Sequence, residues 1–120
     1  MNHLNSIILE GTVSNGSMYL ESEKQMSFTI EVHRTSKDAN GNIENIICFF
    51  EIESCGRLAE ICKANCRKGR GVRIVGRLKQ CSWTDKDGKS QSKVVVFAEH
   101  IEFKPMFKSD MSDAEIVEET

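Results

Sequence analysis

The chain is short of most things that a catalytic or secreted protein displays. It has one proline in 120 residues, which excludes a proline-rich or collagen-like reading. No apolar run approaches the roughly 20 residues of a membrane span. The opening Met1-Asn2-His3-Leu4-Asn5 has no basic region followed by an apolar stretch, so no signal peptide is read there and a cytoplasmic location is expected. There are three histidines: His3 is terminal, His33 falls on the outer face of a strand, and His100 lies within another. None neighbours a Ser/Asp or Cys pair at a spacing that would activate a nucleophile. Gly69-Arg70-Gly71 is too short to cradle a phosphate and lacks the Lys-Ser/Thr that would follow. Glu51 and Glu53 alternate on one strand face, where simple solvation is expected. The residues point to no enzyme and no cofactor. The five cysteines, at 48, 55, 62, 66 and 81, are odd in number and accompany no export signal, which argues against a disulfide framework. Cys62 and Cys66 share a helical face, but a metal site wants three or four close ligands. Small, buried, reduced thiols are expected.

What is present is positive charge, concentrated in one stretch. The formal net charge is −2, yet residues 107–120 hold five acidic groups against Lys108. Residues 67–93 hold nine basic groups and two acidic ones, a net of +7. A polyanion partner requires such a stripe, because each phosphate neutralised releases condensed counterions. The single tryptophan, Trp83, lies inside it beside Lys79, Lys86 and Lys89. Single-strand binders combine a basic groove for the backbone with aromatic faces for the bases, so Trp83 is expected to be an exposed stacking platform. Phe49 and Phe50 are consecutive on a strand and must point to opposite faces. Phe28 is expected in the core.

Period-2 alternation dominates the chain. Strands are read over Asn5–Val13, Met26–Arg34, Ile46–Ile52, Val72–Leu78 and Val94–Phe103. Gly11 inside the first suggests a bulge or a close backbone approach. Residues 14–25 read as a loop or irregular hairpin. Ser36–Asn42 and Asp85-Lys86-Asp87-Gly88 are turn signals. The period becomes helical only over Gly56–Cys66, where Lys68-Gly69 supplies a basic last turn and a glycine stop. Five short strands with one α-helix between strands 3 and 4 are the composition of a Greek-key barrel, the oligonucleotide-binding fold, and the class is mainly all-β. The barrel is expected over 1–105, followed by a short acidic tail over 106–120, expected to be disordered.

Several of these pieces, taken in order, resemble the bacterial single-stranded DNA-binding proteins over about Asn5 to Phe103. The opening Asn5-Ser6-Ile7-Ile8-Leu9-Glu10-Gly11 is similar to the first strand of that family. Phe28-Thr29-Ile30-Glu31-Val32-His33-Arg34 is similar to the second. Gly56-Arg57-Leu58-Ala59-Glu60 resembles the Gly-Lys/Arg-Leu-Ala-Glu at the start of its helix. Lys68-Gly69 and Val72-Arg73-Ile74-Val75-Gly76-Arg77-Leu78 resemble the Lys-Gly and Val-x-Val-x-Gly-x-Leu that follow. Trp83-Thr84-Asp85-Lys86-Asp87-Gly88 resembles its Trp-x-Asp-x-x-Gly turn.

The resemblance implies sequence-tolerant binding of single-stranded DNA in replication, recombination and repair. It also implies a homotetramer, with no cofactor and no catalysis. By position it assigns base stacking to Trp83 and Phe49, and the DNA path to Arg34, Lys68, Arg73, Arg77 and Lys79. Three departures stand out. A stacking aromatic before the helix-start glycine is Cys55 here, and residues 35–42 have no aromatic. The family's acidic tip ending in Pro-Phe, which recruits replication and repair proteins, is replaced by Ile116-Val117-Glu118-Glu119-Thr120. With fewer aromatics, the positive charges are expected to carry more of the affinity. The alternatives are a related barrel serving as a primosome component or RNA-binding module, and a protein-interaction barrel whose basic stripe is inert.

Overall fold

The computed structural model describes residues 1–15 and 17–105. The expected acidic tail, 106–120, lies outside the described residues. The elements run β1 (Ile7–Val13), β2 (Met18–Leu20), β3 (Gln25–Lys37), β4 (Ile43–Cys55), α1 (Gly56–Asn65), β5 (Gly71–Thr84) and β6 (Ser90–Phe103). Alternating apolar side chains explain why β3 is a strand: Met26, Phe28 and Ile30 are buried, while the residues between them face outward. β4, β5 and β6 each extend several residues past their apolar runs. Paired hydrogen-bonding ladders carry polar sequence into strand there, which an apolar pattern alone does not show.

Five of the strands close on themselves in the order β1-β5-β6-β4-β3, with β3 returning to β1. All these pairings are antiparallel except β4 with β6, which is parallel. β2 is the part of 14–25 that reads as an irregular hairpin; it adds to the free edge of β3, with Tyr19 opposite Met26. The core comprises Val13, Met26, Phe28, Ile30, Ile52, Val72, Ile74, Val96, Ala98 and Ile101. Helix α1 joins that core through buried Ala59 and Cys62 and packs against β3, β4 and β6. Its N-cap, Cys55, makes no side-chain cap bond and its first turn has no acid, so packing rather than capping holds it. The expectation of uniformly buried thiols fails: Cys62 is buried, but Cys48 and Cys55 are exposed. The Cys62 partner and burial together push the Cys66 thiol up, which makes Cys66 poorly reactive.

One irregularity sets the outer surface. Val75 pairs with His100, but Gly76 pairs with Ala98, leaving Glu99 as an extra residue in β6. Before the bulge, in chain order, Val96 and Ala98 point into the barrel; after it, Ile101 does. The bulge therefore switches which parity faces inward. It places Lys93 and Phe97 on the outside, opposite Cys81 and Arg77. The close-approach expectation for Gly11 is met, and Gly76 is a second case. A Cβ at Gly11 would overlap the Glu31 carbonyl oxygen, and one at Gly76 the Phe97 carbonyl oxygen.

These contacts are with backbone and cannot swing aside. Gly76→Ala is expected to destabilise the barrel by about 3 kcal/mol, since overpacking here forces strands apart. Urea unfolding should show a lowered midpoint with an unchanged slope; a midpoint equal to that of the native chain would contradict the assignment.

Candidate nucleic-acid interface

β4, β6 and β5 lie side by side, and their outward residues form one continuous surface. Strand alternation puts Phe49, Glu51 and Glu53 on the outer face of β4. β6 contributes Lys93 and Phe97, and β5 contributes Arg77, Lys79, Cys81 and Trp83, in direct register with them. Phe49 is 61% exposed and Trp83 is 47% exposed. Phe50, pointing the other way, packs against the core, and Phe28 lies within it. Directly opposite Trp83 is Gln91, so no aliphatic residue faces it across the hairpin. The Lys93 ammonium sits 5.9 Å from the Trp83 ring centroid. The Phe97 ring carries Arg77 at 4.6 Å and Lys79 at 5.3 Å. Three cations resting on two aromatic rings give a surface that can accept a base beside a phosphate.

The cations of this face are not free. Lys79 Nζ donates to Glu53 Oε1 at 2.8 Å. Lys93 Nζ donates to both oxygens of Glu51, at 3.0 and 2.9 Å. Arg77 Nη1 donates to Glu99 Oε2 at 3.3 Å. These hydrogen bonds raise the Lys79 and Lys93 ammonium groups above the ordinary lysine value. The expectation that Glu53 is merely solvated is overturned, because it is only 7% exposed. Cys81 Sγ approaches its other oxygen at 4.0 Å. Val95, in register with Lys79, is buried without belonging to the barrel core. The face thus has a poorly hydrated centre, where charge must be paired.

Trp83, Phe49, Arg77 and Lys79 come together as the sequence suggests. Lys86 and Lys89 are exposed at the tip of the β5–β6 hairpin. Arg34 is not brought beside Phe49. It pairs in register with Ile46, while Phe49 pairs with Glu31, which puts the two on opposite faces of the β3–β4 arm. Arg73 lies at the other end of β5, about 33 Å along the strand from Trp83, bound to Glu10 at 3.0 Å. Lys104 first and Arg73 second hold the Glu10 carboxyl below the ordinary carboxylate range. Lys68 is exposed in the α1–β5 connection, beside Gly69, whose N–H donates to the Val13 carbonyl. Arg70, part of the basic stripe, is 4% exposed and donates from Nε to the Lys104 carbonyl at 2.9 Å. Its role is structural.

Glu51 and Glu53, which sequence reasoning takes only as solvated, and Phe97, which it misses, also belong to the face. Alternation in β4 offered a signal for the first two. Phe97 is placed by the bulge, which no glycine or proline in β6 marks. Among the described residues, no group of three or more His, Cys, Asp or Glu is arranged to hold a metal ion. No helix there is long and apolar enough to cross a membrane.

The hairpin tip is built by Asp85. Its Oδ1 accepts the N–H groups of Asp87 and Lys89, both at 2.9 Å, and its Oδ2 accepts Gln91 Nε2 at 3.0 Å. The Lys89 N–H, then Gln91, hold its carboxyl below the ordinary aspartate range. Asp38 does the same for the β3–β4 tip, accepting Asn40 and Asn42 N–H groups at 2.8 and 2.9 Å.

Comparison with known proteins places this geometry. Residues 4–104 match the single-strand binding protein family. The chain is 27% identical over 119 residues to the single-stranded DNA-binding protein 2 of Chlorobaculum tepidum, covering 96% of this chain and 80% of that one. It is 34% identical over 101 residues to the single-stranded DNA-binding protein of Wolinella succinogenes, covering 82% and 62%. Among solved structures, a deletion mutant of the Thermus aquaticus single-stranded DNA binding protein superposes with a TM-score of 0.71 at 26% identity. That match covers 84% of this chain and 50% of the other.

A carboxyl whose value is lowered by folding contributes stability above its unfolded value and loses it as pH falls through the folded one. The tip is therefore expected to be fully ordered above about pH 4 and to loosen below it. Amide exchange at Lys89 and Asp87 checks this: protection should fall in acid before that of Ile74 or Val96, and Asp85→Ala should abolish it at neutral pH.

Proposed function

From membership of the single-strand binding protein family, to which this chain belongs, we propose that it binds single-stranded DNA with little regard to sequence. The observation that carries this reading is the outer face of β4, β6 and β5. Trp83 and Phe49 are exposed there, with Lys93 linking Trp83 to Glu51 two residues from Phe49. Every base has a π-face, so stacking of this kind accepts any sequence. The barrel over 1–105 is the binding domain, acting without catalysis or cofactor to protect single strands during replication, recombination and repair. The DNA path runs over Trp83, Phe49, Arg77 and Lys79, past Lys86 and Lys89 at the tip. Arg34, Lys68 and Arg73 would meet DNA only if the strand wraps around the barrel.

The β3–β4 arm supports self-association. Ile43, Ile46, Ile47 and Cys48 are all exposed, and alternation distributes them over both faces of a two-stranded ribbon. Such apolar exposure marks a contact surface. The reading is a homotetramer in which arms meet.

Titration with oligo-dT is expected to quench Trp83 fluorescence and to shift the chain in a mobility assay. Trp83→Ala should weaken binding by about 1–3 kcal/mol, the worth of one stacked base. Unchanged emission together with no shift at low salt would sink the reading. Preference for an RNA oligomer of the same sequence would redirect it to an RNA-binding module.

A further inference from the structure

The face that carries Trp83 and Phe49 has many cations but little free positive charge. Lys79, Lys93 and Arg77 are each engaged by a carboxylate of this chain, at 2.8, 2.9 and 3.3 Å. Two of those carboxylates, Glu51 and Glu53, are on the same strand and the same side as Phe49. Among the described residues, Lys86 and Lys89 form no ion pair within 4 Å, but they lie at the hairpin tip, away from the centre of the face.

We propose that Glu51 and Glu53 are built-in surrogates for phosphate, and that they make exposed bases, rather than backbone charge, the condition for binding. They are specificity-determining residues for the reading above, on which this inference rests. A phosphate that takes Lys93 or Lys79 must displace a carboxylate already in contact. The displaced carboxylate then lies beside a like charge. Glu53, with almost no surface of its own, has little water to turn to. The exchange of one anion for another yields small net electrostatic gain. Counterion release shrinks as well, because a carboxylate set free attracts the cations that the phosphate sheds.

A ligand that offers only phosphates therefore gains little on this face. Duplex DNA hides its bases and inorganic polyphosphate has none. A single strand gains the stacking on Trp83 and Phe49 in addition, and that gain does not depend on breaking the ion pairs. The carboxylates thus cost every polyanion something, and only ligands with open bases recover it.

The test compares the full chain with Glu51→Gln, Glu53→Gln and the double variant. The probes are labelled oligo-dT, a duplex of equal length and inorganic polyphosphate, with binding read at two salt concentrations. Loss of both carboxylates is expected to tighten duplex and polyphosphate binding by about tenfold, from charge effects of several-fold per residue. Oligo-dT should tighten less, so the single-strand preference falls. Its salt slope should steepen by roughly 0.7 for each lysine that gains a phosphate. If Glu53→Gln fails to fold, Glu51→Gln alone decides, with an expected loss of preference of about threefold.

An unchanged preference, or weaker binding of all three probes, would overturn the proposal; the second result would mean that the carboxylates only hold the lysines in place. If the unaltered chain ignores oligo-dT, the functional reading has failed instead.

Discussion

Closure of the barrel rests on a short parallel contact between β4 and β6, in which Ile52 meets Val96 and Glu53 meets Phe97. Its inward half joins two core residues. Its outward half sets a carboxylate beside the ring on which Arg77 and Lys79 rest. Without it β4 and β6 would be free edges, and the face that carries Trp83 and Phe49 would be two unrelated ribbons. Parallel pairing between distant segments is entropically expensive to form. Here it is supported by α1, which lies between β4 and β5 in the chain and packs on β3, β4 and β6.

The same contact explains the unusual electrostatics. Bringing β4 against β6 and β5 puts the acidic outer row of one strand next to the basic outer rows of the others. Of the resulting ion pairs, Lys79–Glu53 is part-buried, where an isolated glutamate would be costly, while Lys93–Glu51 stays exposed. The chain therefore solves a folding problem, charged strands meeting in a closed barrel, with the groups that would otherwise be free for a ligand. On the proposed reading, aromatic area takes a larger share of recognition, and net charge a smaller one, than the composition of residues 67–93 suggests.

Much of the architecture was legible beforehand. Alternation located every main strand, and the change of period over Gly56–Cys66 located the helix. Flanking residues placed Trp83 outside, alternation placed Phe28 inside, and parity set Phe49 and Phe50 on opposite faces, while the outward choice of Phe49 came from the family resemblance. What was illegible had physical causes. β2 is three residues long, too short for a periodic signal. Charge counted along the chain cannot show that Lys79 faces Glu53 or that Lys93 faces Glu51, because those partners are set by tertiary closure. Arg34 and Phe49 are near in position but separated by one step of parity. The bulge at Glu99 has no glycine or proline to announce it.

That bulge gives the strand a grammar of its own. β6 reads inward on even numbers at Val96 and Ala98 and on odd numbers from Ile101. Removing or adding one residue between them would turn half the strand inside out, sending Lys93 and Phe97 into the core or Ile101 and Phe103 out of it. Drift by substitution is open to most of this surface, and changes of length are absorbed readily at the two aspartate-built tips. In β6 the count of residues is itself fixed by the fold.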